Sequence, residues 1–132
     1  MRDYSAHRIA ALLESFRDQL KQAARNRDEE AIHDLRVSIR RLSEGLRVFR
    51  QFFPTSNVKK IRRRLSGLMD HAAAVRDRDM TLQLLADAGE SGGPLAARLQ
   101  AEREGAERAL HVEIRAWRKR DLPARWPNRL QL

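Results

Sequence analysis

The chain of 132 residues and 15.3 kDa has room for one core. It has no cysteine, which excludes disulfide and thiolate chemistry and makes a reducing cytoplasm its natural compartment. It also lacks the run of about 18 apolar residues that reads as a membrane span, and its charge-interrupted N-terminus has no signal-peptide apolar region. The net charge of +9 is unevenly placed: His33 to Asp79 carries 12 Lys and Arg against 5 Asp and Glu, and the rest of the chain 15 against 13. A local excess of this kind points to an anionic partner.

The first helical pattern runs from about Tyr4 to Arg25, with Ile9, Leu12, Leu13, Phe16, Leu20 and Ala23 on one face. Asn26 or Asp28 can cap the next helix, and Glu29 and Glu30 suit the positive end of its dipole. In that second helix Ile32, Leu35, Ile39, Leu42, Leu46, Phe49 and Phe53 follow a strict 3-4 spacing, the seam of a bundle helix. Pro54 ends it, with Ser56 expected as the next cap. Val58, Ile61, Leu65, Leu68, Ala72 and Val75 form the third seam. A break is expected at "AVRDRDM", where Asp77 or Asp79 would cap a short fourth helix ending near Gly89, with Arg76 as their ion-pair partner.

After the loop "GESGGP", Pro94 suits the first turn of a last helix reaching about Lys119. Leu95, Leu99, Ala106, Leu110, Ile114 and Trp117 are its expected buried face. Pro123 and Pro127 predict an irregular tail from 121 to 132. With no period-two pattern, the fold class is all-α: one antiparallel bundle of four to five helices over residues 1–120.

Beside the apolar seam of the second helix stands a second column. At about 100° per residue, His33, Arg36, Arg40 and Arg47 fall within roughly 60° of one another, about 110° from the seam's centre. They therefore occupy the flank of the helix, where it meets a neighbour. On the third helix Lys60, Arg64 and His71 share one flank, with Arg62 on the other, so a shared basic groove is expected. Arginine's planar fork gives bidentate hydrogen bonds to phosphate and keeps its charge. Histidine adds a donor suited to a charge change near neutrality. Arginine stems lying over apolar surface would explain the same column without a ligand.

"HDLRVSIRRLSEGLRVF" resembles the signature of the CHAD domains, the conserved histidine α-helical domains, at His33, Arg36, Val37, Arg40, Arg41, Leu42, Leu46, Arg47 and Phe49. Ser43 stands where an arginine is common. A second signature resembles "AAAVRDRDM" at Arg76, Asp77 and Asp79, with alanine at a glycine position and Met80 at a valine. The resemblance implies a non-catalytic helical module that binds inorganic polyphosphate in a basic cleft, without a cofactor, in some members at polyphosphate granules. It assigns His33, Arg36, Arg40 and Arg47 as phosphate contacts; the charge pattern adds Lys60 and Arg64. It covers about Tyr4 to Trp117, one of the two bundles of a full domain. Either the chain is part of something longer or two copies pair as a homodimer to complete the cleft.

Other classes fit less well. A histidine phosphotransfer bundle needs an open surface after its histidine, and "HDLRVSIRRL" is crowded. His7, His33, His71 and His111 form no metal-ligand pattern; His7 and His111 read as surface residues. Asp77 and Asp79 fit capping better than a magnesium site. A membrane-surface helix would want interfacial tryptophans on a broader stripe. Nucleic acid is the serious competitor, but the aromatics near the basic residues, Phe49, Phe52 and Phe53, read as core rather than stacking platforms.

Overall fold

The computed structural model describes all 132 residues and contains no strand. Four long helices, α1 (Arg2–Arg25), α2 (Glu29–Val48), α3 (Thr55–Asp87) and α4 (Pro94–Arg120), pack in sequence, and α4 closes back on α1. A short α5 (Trp126–Leu130) completes the chain. The apolar seams meet in one core: Ile9, Phe16, Leu35, Leu42, Leu65, Leu68 and Ile114 all lie within a single buried cluster. Truncating a fully enclosed leucine such as Leu35 or Leu65 to alanine removes about 2–5 kcal/mol of stability. α1 and α2 lie close together at Gly45, where an added Cβ would stand 2.8 Å from Leu12 Cδ1.

Of the two candidate caps before α2, Asp28 serves: its carboxylate accepts the Ala31 N–H at 2.8 Å, while Asn26 closes α1. Ser56 does not cap α3, which begins at Thr55 directly after Pro54 and has no side-chain cap.

The expected break at "AVRDRDM" is absent, and α3 runs unbroken to Asp87. Asp79 falls near the core side of α3, so its carboxylate reaches across to Arg103 of α4, which also donates to Glu107. A carboxylate satisfied by a tertiary partner has no need of free backbone N–H groups, so the helix continues through it. Arg76 pairs with neither Asp77 nor Asp79. The start of α2 is level with Arg76, since Asp28, Glu29, Glu30, His33 and Arg76 line one hollow. α3 and α4 therefore project past α1 and α2 as a two-helix extension. Between Val75 and Leu110 only Ala96 is buried, and Leu95, expected inside, is 53% exposed. Gly89, at φ +76°, turns the chain at the tip.

The C-terminal residues are not irregular. A 3-10 turn (Leu122–Arg125) and α5 place Pro123, Trp126 and Leu130 inside. Trp126 stacks on Phe16 at 6.1 Å and meets Trp117 edge-on at 5.7 Å. Pro123 and Pro127 both sit in the first turns of these short helices, where a missing N–H costs nothing. The prolines bar α4 from continuing and open two short helices in its place.

His111 is also inside. It is 4% exposed, its Nε2 has no hydrogen-bond partner, and burial together with Arg27 lowers its pKa. Its spacing places it beside Leu110 and Ile114 on the buried face, which overrides its polarity.

Candidate functional site

The flank of α2 carrying His33, Arg36 and Arg40 faces α3. Arg40 and Ser43 line a groove with Lys59, Arg62, Arg63 and Ser66 of α3. Nearer the start of α2, His33 and Arg36 share a crevice with Arg76 and Asp79. The two hollows share no residue but follow one another along the α2/α3 seam as a track of cations. From His33 to Arg47 it spans about 21 Å at 1.5 Å per residue.

The track's cations are mostly without counterions. Arg36 is half-buried, and its Nε has no hydrogen-bond partner. Burial, then Arg76, then Arg40 lower its pKa, and Asp77 partly offsets them. The guanidinium is thus held charged where charge is unfavourable, a condition that an incoming anion relieves. Arg62 donates only to the Ser43 hydroxyl, at 3.3 Å. Arg40, Lys59, Arg63 and Arg76 form no ion pair.

At the far end Arg47 keeps its place on the column, but its fork donates to Glu44 at 2.9 and 3.1 Å. Both side chains are about half exposed, so this pair is weak and yields readily to a stronger anion. At the near end the track is mixed, because Glu29 and Glu30 share the hollow with His33 and Arg76.

The structure separates Lys60 and Arg64 from this groove. With His71 they occupy the flank of α3 turned roughly 150° from Lys59 and Arg62. His71 Nε2 lies 4.0 Å from Glu113 of α4, which fixes the direction of that flank. The α3 contributors are instead Lys59, Arg62, Arg63 and Arg76. Helical spacing in the sequence identifies both flanks equally well and does not tell which neighbour each one meets.

The CHAD domain family model matches residues 7–132. The chain belongs to the CHAD domain family. No curated protein and no solved structure matches it. In this CHAD domain both signature segments meet at one place: His33 and Arg36 of the first lie against Arg76 and Asp79 of the second. The match also runs through the C-terminal segment whose Trp126 and Leu130 complete the core.

A second, larger cleft of about 680 Å³ lies between α1, the end of α4 and the C-terminal segment. Glu14, Asp18 and Asp121 there balance Arg17, Lys21 and Arg118, and Arg17 pairs with Asp121 at 3.4 Å. Its size is greater but its charge is compensated, so it offers a polyanion nothing. No group of three His, Cys, Asp or Glu side chains converges to hold a metal, and no helix is long and apolar enough to cross a membrane.

Proposed function

We propose that the α2/α3 track binds inorganic polyphosphate and that the protein is a binding module rather than an enzyme. The observation that carries this reading is a row of cations, Arg36, Arg40, Lys59, Arg62, Arg63 and Arg76, lying along one seam and none of them in an ion pair. A linear chain of phosphates presents charge at every unit and matches a row better than a pocket would. Arg36 and Arg40 supply forks from α2, Arg62 and Arg63 from α3, and His33 stands at the head as a further donor. Retention of the ligand is then the whole activity, and placement at cytoplasmic polyphosphate granules would result from it.

Nucleic acid is the second reading. The aromatics nearest the track weigh against it: Phe53 is buried, and Phe49 packs edge-on against Tyr4 at 6.1 Å. None stands ready to stack on a base. Only one wall of cations flanks the ligand in a single chain, so the proposed working unit is a homodimer whose two tracks face one ligand.

Titration with long-chain polyphosphate by calorimetry, with sedimentation in parallel, tests these points. Arg36→Glu with Arg40→Glu removes two charge-assisted contacts and is expected to weaken binding about 100-fold or more while circular dichroism is unchanged. The parent's affinity should fall steeply with salt, and Arg36→Gln should flatten the log–log slope by about 0.7. Undiminished binding by the double variant overturns the track. Displacement of polyphosphate by single-stranded DNA at equal phosphate concentration favours the second reading, and a monomer that binds tightly removes the dimer.

A further inference from the structure

Two carboxylates, Glu29 and Asp79, line the crevice at the head of the track, and the second, set on the core side of α3, ought to spoil it. Asp79 lines the same crevice as His33, Arg36 and Arg76. A free carboxylate there would take the nearest guanidinium and cancel a charge the ligand needs. It does not. Its Oδ1 accepts from Nε of Arg103, at 2.5 Å, and not from Arg36 or Arg76.

Arg103 comes from α4, a helix that contributes no residue to the lining of the crevice, and reaches Asp79 from behind it. Its Nη1 donates to Glu107, also at 2.5 Å, and that second anchor fixes the guanidinium. Arg103, Asp79 and Glu107 are each about four-fifths covered, so the triplet is screened far less than the exposed pairs elsewhere on the surface. The hydrogen bonds that Arg103 donates to Asp79 and Glu107 favour its charged form.

We infer that Arg103 is a positioning residue for the anion track: by engaging Asp79 from α4, it prevents that carboxylate from neutralising Arg36 and Arg76. The inference rests on the track being the polyphosphate site. It assigns a role to a residue that lies outside both signature segments and touches no ligand. It also explains how an acidic residue can stand in a basic crevice.

A merely structural clamp between α3 and α4 would have the same contacts, so the test must separate charge from clamping. In polyphosphate titrations Arg103→Gln frees Asp79, and affinity is expected to fall about tenfold, the size of one charge-assisted contact. Adding Asp79→Asn to Arg103→Gln leaves the clamp broken but removes the offending charge, and binding should return to near the parent. Asp79→Asn alone should bind at least as tightly as the parent. If Arg103→Gln does not fold, Arg103→Lys serves, because one ammonium can satisfy only one of the two carboxylates; it should bind more weakly and be rescued in the same way.

Loss of affinity without rescue by Asp79→Asn assigns Arg103 to the clamp alone and overturns the proposal. Full affinity in both Arg103 variants overturns it too. The Arg36→Glu, Arg40→Glu variant, run beside them, identifies a different failure: if it binds normally, the track itself is wrong.

Discussion

The two flanks of α3 carry the same basic residue types and face different neighbours. On the side facing α4, His71 lies near Glu113, Arg78 near Glu102, and Asp79 and Glu107 converge on Arg103, although Lys60 and Arg64 form no ion pair. On the side facing α2, Lys59, Arg62, Arg63 and Arg76 meet His33, Arg36 and Arg40, and the carboxylates among them, Glu29, Glu44 and Asp79, form no ion pair with these cations. Cations matched by carboxylates on a neighbouring helix specify how that helix docks. Cations opposed by more cations repel one another and make no such specification. Whether a basic flank is paired or left open to a ligand therefore depends on the helix that faces it.

Charge reversal on each flank breaks this comparison most directly. Arg62→Glu with Arg63→Glu should reduce polyphosphate affinity about 100-fold, as two lost charge-assisted contacts imply. Lys60→Glu with Arg64→Glu alters net charge equally, yet acts only through the screened field and should cost a few-fold at about 0.15 M salt. Equal losses in the two variants would show that total charge, not the α2 side, governs binding.

A smaller effect concerns His111 and stability rather than affinity. Burial, Arg27 and Arg115 all favour its neutral form, and only Glu107 opposes them. The folded pKa therefore lies below the usual 6.5, so the unfolded chain takes up the proton first as pH falls. The stability associated with neutral His111 is fully present above pH 6.5 and is lost as pH drops below it. Thermal melts at stepped pH should show this decline, and His111→Leu should flatten it. The smallest effect sharpens the α4 side: His71→Gln removes an exposed pair at 4.0 Å and should shift stability by less than about 0.5 kcal/mol in denaturant titrations.

Much of this is legible in the residues. The 3-4 spacing of Ile32 through Leu46 and of Val58 through Val75 identifies the buried seams because helical periodicity leaves no other face for them. The same arithmetic puts His33, Arg36 and Arg40 on one flank. It does not choose between the flanks of α3, since that choice depends on the side on which α2 lies, a property of the whole bundle. The Asp79–Arg103 pairing is hidden for a similar reason: its partners are 24 residues apart, and Asp79 alone looks like a cap. Pro123 and Pro127 read as stops, although proline also begins helices. His111 has a readable signal, because its spacing matches Leu110 and Ile114, but its polarity argues the other way.

The unsupported reach of α3 and α4 beyond Arg76 gives amide exchange in this protein a direction. With a single buried side chain between Val75 and Leu110, the extension has little apolar contact to hold it, and its backbone hydrogen bonds should open from the Gly89 turn inwards at low free energy. Fraying would meet its first firm obstacle at the Asp79–Arg103–Glu107 triplet, which lies at the edge of the anion track. Deuterium uptake should therefore divide each of these two helices into a fast outer part and a slow inner part. The boundary between them would mark, in time rather than in space, where the binding surface begins.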